Sequence, residues 1–142
     1  MKRMIACLLA LVVVVAAGAQ TKEIRVLLAN HPYGEVLKAA IPEFESATGI
    51  KVNVESLQES QLTTKLTTEF STNASSVDVF MTRPLQEGKM FYKNGWYEPA
   101  TGYDFSDFPK VALDVATFGT KTYIVPLVTE WQVLYYRKDL LK

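Results

Sequence analysis

Three times between positions 24 and 93 the hydrophobic period of this chain switches from strand-like to helix-like, and that switch narrows the choice of fold more than any other feature. Residues 24–29 (Ile-Arg-Val-Leu-Leu-Ala) are short, β-prone and mostly apolar, which suits a strand covered on both faces. The turn cluster Asn30-His31-Pro32-Tyr33-Gly34 follows, and then Val36, Leu37, Ala40, Ile41 and Phe44 recur at helical spacing. Pro42 is expected to kink this helix, because it cannot donate to the carbonyl of Lys38, and Gly49 to end it with a left-handed cap. Ile50, Val52 and Val54 alternate with polar residues as a half-buried strand does. Leu62, Leu66 and Phe70 return to a period of four, with threonines between them that only packing can hold helical. Residues 77–82 predict a third strand, and Pro84 opens a helix that Asn94-Gly95 stops near Lys93.

Beyond that point the pattern weakens. Residues 96–110 read as irregular surface, 111–118 as helix, Gly119-Thr120-Lys121 as a turn and 122–125 as a strand broken by Pro126. Residues 131–136, apolar on both faces, predict a buried strand, and Asp139 the N-cap of a further helix. Strands alternating with helices imply an α/β domain with a largely parallel sheet.

The first nineteen residues form a separate unit. Lys2 and Arg3 precede an uncharged run over 4–17, and Ala17-Gly18-Ala19 has the small-x-small pattern of a signal-peptidase site. The run is shorter than the roughly 20 apolar residues of a spanning helix, so a secretory signal peptide cleaved near Ala19 is expected. Cys7, the sole cysteine, lies inside it, and the mature chain must be held by its core without disulfides. Without Lys2 and Arg3 the fifteen-to-fifteen charge balance becomes thirteen basic against fifteen acidic. Nothing in that balance points to nucleic acid.

Catalytic constellations are scarce. The mature sequence has one histidine, no Gly-x-Ser-x-Gly elbow, no Gly-x-Gly-x-x-Gly and no phosphate loop, and no His/Cys pair stands at metal-ligand spacing. Neither an enzyme nor a cofactor is implied. In open α/β sheets ligands sit beyond the carboxyl ends of the strands. That rule selects Asn30, His31 and Tyr33 after the first strand, Thr82 and Arg83 after the third, and Glu130 with Trp131 after Pro126. Together they offer the planar polar groups and aromatic plate that a sugar needs. Each has a plainer alternative: His31 as a turn residue, Tyr33 stapling the helix, Arg83 pairing with Glu87, Glu130 and Trp131 packing at a hinge. Trp96 and Tyr97 read as core.

Phe44-Glu45-Ser46-Ala47-Thr48-Gly49-Ile50-Lys51-Val52 resembles the F-E-x-x-T-G-I-x-V signature of the solute-binding proteins of bacterial sugar ABC importers. Asp78-Val79-Phe80, Lys93-Asn94-Gly95-Trp96-Tyr97-Glu98-Pro99, the hairpin Gly119-Thr120-Lys121-Thr122-Tyr123-Ile124-Val125-Pro126 and Val133-Leu134-Tyr135-Tyr136-Arg137-Lys138-Asp139-Leu140-Leu141 resemble later blocks of that family, in family order. The resemblance implies a periplasmic-binding-protein-like (type II) α/β lobe, one of two that close on a sugar like a hinged clamp, as in proteins similar to maltose-binding protein. It implies that residues 20–142 are the N-terminal part of the first lobe, incomplete and ending at the first hinge crossing. It places Glu130 where a carboxylate binds sugar hydroxyls, and Asn30 and His31 on a ligand-contacting loop. It implies a sugar or polyol as the small-molecule partner, and membrane permease subunits of an ABC importer as protein partners. A monomer in the periplasm is expected. Arg137, where asparagine is usual, and Met81-Thr82-Arg83 depart from the maltose type, which leaves the solute open. A polyamine, a phosphorylated polyol or a metal chelate are the alternatives within the binding class, and a secreted hydrolase is the alternative outside it.

Overall fold

The computed structural model describes residues 22–74, 76–130 and 133–141. The expected signal peptide and Trp131 lie outside the described residues. Three strands, β1 (Glu23–Ala29), β2 (Lys51–Leu57) and β3 (Val79–Phe80), form a parallel sheet in the order β2-β1-β3. Helix α1 (Pro32–Thr48) connects β1 to β2, and α2 (Glu59–Ser71) carries the chain from β2 back past β1 to β3. Parallel crossovers of this kind are right-handed almost without exception, so two connections running in opposite directions lie on opposite faces. The side chains of β1 agree. Leu27 and Ala29 belong to the core with Leu62 and Leu66 of α2, while Leu28 faces Gly34 of α1. A β-carbon at Gly34 would stand 3.1 Å from the Ala29 carbonyl oxygen, and a bare backbone lets α1 start this close to the strand end.

The core is centred on Leu27, Leu66 and Phe91, which are fully buried and worth roughly 1.5–3 kcal/mol each in removed apolar surface. Around them Phe70, Phe80, Trp96 and Tyr97 interlock at centroid distances of 5.2–6.1 Å. The expectation that Trp96 and Tyr97 belong to the core holds.

Helix α1 holds Pro42 within it and runs to Thr48, and Gly49 ends it as expected, at φ 71° with its N–H donated to the Glu45 carbonyl. Other elements differ from the sequence reading. The third strand has two ladder residues, not six, and the extended run is held at its ends by Asp78 N–H to Arg25 O and Met81 N–H to Leu27 O. The helix after Pro84 opens as a π-helical turn (Pro84–Gly88), with Gln86 and Glu87 N–H converging on the Arg83 carbonyl, before α3 (Lys89–Lys93). Helix α4 (Lys110–Ala116) stops earlier than position 118, because the chain turns into the antiparallel hairpin of β4 (Thr117–Phe118) and β5 (Lys121–Thr122).

Residues 133–136 form no strand and are exposed. Among the described residues no β-partner or helix covers them, and an apolar sequence cannot become a buried strand without one. Asp139 does not cap a helix; its carboxylate pairs with the Arg137 guanidinium, while Leu140 and Leu141 N–H turn back to the Arg137 carbonyl.

Candidate functional site

All three strands deliver their carboxyl ends to one edge of the sheet. The chain leaves β1 through Asn30 and His31, β2 through Gln58 into the first turn of α2, and β3 through Met81, Thr82 and Arg83. With β1 central, the connections diverge at this edge, and a crevice opens there. It holds a cavity of about 50 Å³ that opens to solvent and is lined by Ala29, His31, Glu59, Leu62, Thr63, Met81, Thr82, Arg83 and Glu87.

Glu87 is the buried polar centre of this crevice, 5 % exposed. Its Oε1 accepts the Arg83 backbone N–H at 2.6 Å and the Thr82 hydroxyl at 3.2 Å. Its Oε2 lies 3.3 Å from Arg83 Nη2 and 3.4 Å from the Thr63 hydroxyl. Arg83 also donates from Nη1 to Glu59 Oε2 at 3.1 Å and from Nη2 to Thr63 Oγ1 at 2.8 Å. Thr82 Oγ1 lies 2.6 Å from Tyr97 Oη. A carboxylate can only accept, so the Thr82 proton goes to Glu87, and Tyr97 must donate to Thr82. Burial pushes the Tyr97 hydroxyl up to about 12, against a partial offset from the Thr82 bond, and it keeps the proton this chain of bonds requires.

On the opposite rim His31 is the N-cap of α1. Its Nδ1 accepts the Tyr33 N–H at 3.1 Å, and its Nε2 lies 3.0 Å from Glu130 Oε1.

Of the residues expected from sequence, the fold brings His31, Thr82 and Arg83 into one crevice. Glu130 reaches its rim through His31. Asn30 and Tyr33 flank it, Asn30 exposed with its N–H given to the Leu57 carbonyl and Tyr33 half-buried on α1. The pairing of Arg83 with Glu87 is present too, alongside Arg83's place in the lining. Glu59 and Thr63 were not anticipated, and Glu87 and Tyr97 were expected only as an ion-pair partner of Arg83 and as core, not as parts of the crevice. The carboxyl-edge rule applied to β2 points to Glu59, and Thr63 lies one turn further along the same helix. Nothing local in the sequence signals the inward turn of Glu87 or the reach of Tyr97 to Thr82. Among the described residues no three His, Cys, Asp or Glu side chains converge as a metal site, and no helix is long and apolar enough to cross a membrane.

Residues 29–142, most of the chain, match the family model described as bacterial extracellular solute-binding protein. The chain belongs to that family. A putative binding protein of Brucella abortus (strain 2308) is 32% identical over 143 residues, 92% of this chain and 33% of that protein. The mannitol-binding protein of Pseudomonas aeruginosa is 33% identical over 91 residues, 61% of this chain and 20% of that protein. The crystal structure of an ABC transporter solute-binding protein from Agrobacterium vitis S4, with bound D-mannitol, matches at a TM-score of 0.64 and 23% identity, over 72% of this chain and 26% of that one. The last likeness is one of fold, and it agrees with the α/β lobe and parallel sheet expected from sequence. The chain spans about a third of the length of the Brucella relative. Members of this family are extracellular binding proteins.

Proposed function

We propose that the chain forms the early part of the ligand-facing lobe of a solute-binding component of an ABC importer, and that its solute is a sugar or polyol held without chemical change. The observation that carries this reading is the crevice at the carboxyl edge of the β2-β1-β3 sheet, where hydroxyls, carboxylates and a guanidinium converge. Polyhydroxyl ligands take up that mixture of donors and acceptors, and an apolar ligand would strand it. The mannitol-binding relative supports the same class of solute. His31, Thr82 and Arg83 are the ligand contacts of this wall, Asn30 and Tyr33 shape its rim, Glu130 joins it from the chain beyond Pro126, and the aromatic plate is assigned to Trp131. The protein is exported by its N-terminal signal, loses it near Ala19, works as a monomer in the periplasm and hands its solute to membrane permease subunits. Closing of the clamp is driven by contacts made only in the closed state.

Calorimetry on the natural gene product tests this, titrating D-mannitol and a sugar panel beside spermidine and a metal chelate. Saturable binding of a sugar or polyol is expected. Binding of spermidine or the chelate alone would replace the solute class, and turnover of a chromogenic glycoside would replace the binding reading by a hydrolase. The mass of the exported protein tests the signal: retention of Met1 would overturn it.

A further inference from the structure

The charges of the crevice are wired in a way that restricts its occupant. Of the described lining residues, Arg83 carries the positive charge, and Glu59 and Glu87 carry the negative. Both carboxylates lie within ion-pair distance of the one guanidinium, at 3.1 and 3.3 Å. Glu87 lies behind it, buried, with donors from Arg83, Thr82 and Thr63 directed at its oxygens.

We propose that Glu87 is a specificity-determining residue of this crevice: with Glu59 it neutralises Arg83, so the wall takes the hydroxyls of an uncharged ligand and rejects phosphorylated or carboxylated ones. This deepens the sugar-or-polyol reading and rests on it for the identity of the ligand, but the charge argument stands on the crevice itself. An anion approaching Arg83 meets two carboxylates that already hold the guanidinium, and it must displace one of them or sit beside both. A hydroxyl meets a different surface. The Tyr97–Thr82–Glu87 chain of hydrogen bonds uses the Thr82 proton and one of its lone pairs, leaving a lone pair that can accept from a ligand. Arg83 has five N–H groups, and its contacts with Glu59, Thr63 and Glu87 account for three of them at most, leaving donors for a hydroxyl oxygen. A phosphate dianion has no proton to give Thr82, so it loses on both counts.

The test is calorimetry of the natural gene product with D-mannitol and D-mannitol 1-phosphate, for the wild type, Glu87→Gln and Glu59→Gln. The wild type is expected to bind the uncharged alditol at least about tenfold more tightly, and each variant to shift the ratio toward the phosphate by about tenfold, the scale of one unit charge near a screened surface. Loss of positioning alone would weaken both ligands together and leave the ratio unmoved. Glu59→Gln neutralises a half-exposed side chain and keeps the test open if Glu87→Gln does not fold. A wild type that prefers the phosphate, or ratios unchanged in every folded variant, would overturn the proposal. A second arm uses inorganic phosphate at about 10 mM and reads the melting temperature, which rises with any bound ligand. No rise in the wild type with a rise in a variant supports the role of Glu87 even if neither alditol binds, an outcome that would remove only the polyol reading. A rise in the wild type, abolished by Arg83→Gln, would overturn the proposal.

Discussion

His31 and Glu130, 99 positions apart in the chain, meet with Nε2 and Oε1 3.0 Å from each other. The second ring nitrogen settles how. Nδ1 accepts the Tyr33 amide hydrogen, so in the neutral ring the proton is on Nε2 and is donated to Glu130. One side chain therefore starts α1 and also ties the loop after β1 to the chain beyond Pro126.

Splitting these two duties by mutation gives the first prediction. His31→Ala loses the cap and should cost about 0.5–2 kcal/mol in urea unfolding, whereas His31→Asn caps well and should cost little. Both variants release Glu130. The Glu130 side chain is largely exposed, so the pair itself contributes no more than about 1 kcal/mol. Equal losses of stability in the two variants would show that the cap is not what His31 supplies.

For ligand affinity, Glu130→Ala in the natural gene product should weaken solute binding on the order of tenfold to a hundredfold, the worth of a charged hydrogen bond. Calorimetry checks this, and unchanged affinity would remove Glu130 from the site.

Tyr97 makes stability depend on alkaline pH. Its hydroxyl is raised from the ordinary 10 to about 12 in the folded chain, chiefly by burial. Between those values the unfolded chain has lost the proton and the folded chain still holds it, so the slope of stability with pH is negative. The contribution is complete below about pH 10 and is lost as pH climbs to about 12. Tyr97→Phe should flatten this decline in denaturant titrations at pH 9 to 11 while costing about 1 kcal/mol at neutral pH for the lost bond to Thr82.

Leu66 is fully buried between α2 and the sheet, and Leu66→Ala should cost about 2–5 kcal/mol, the range for a cavity in a packed core. Val36→Ala on the exposed side of α1 should stay within about 0.5 kcal/mol by the same thermal or urea assay.

Leu134 and Tyr135 are 89 % exposed, and Val133, Leu140 and Leu141 are exposed as well. Residues 20–142 made alone are therefore expected to self-associate and, on the two-lobed reading proposed above, to bind sugars no more tightly than about millimolar, since one wall of a clamp would bury too little of a ligand. Light scattering should fall when Leu134 and Tyr135 are both replaced by lysine. A monodisperse wild-type fragment with micromolar affinity would contradict both expectations.

Period-two and period-four patterns through position 93 were enough to place the three strands, both long helices and the parallel sheet, because each element there covers one face of its neighbour and the apolar spacing records that coverage. The glycine stop of α1 and the carboxyl-edge placement of His31, Thr82 and Arg83 were legible for a similar reason: both follow from local backbone rules. Tertiary structure decided the rest. The inward turn of Glu87 depends on a π-helical turn meeting a side chain from α2, and the tie between Thr82 and Tyr97 on an aromatic core assembled from four segments. The fate of residues 133–136 depends on whether another element covers them, and an apolar run carries the same letters covered or bare. Local spacing reports what a residue does within its own element. Which charges from different elements come to share one guanidinium is set only when the sheet brings its strand ends to a common edge.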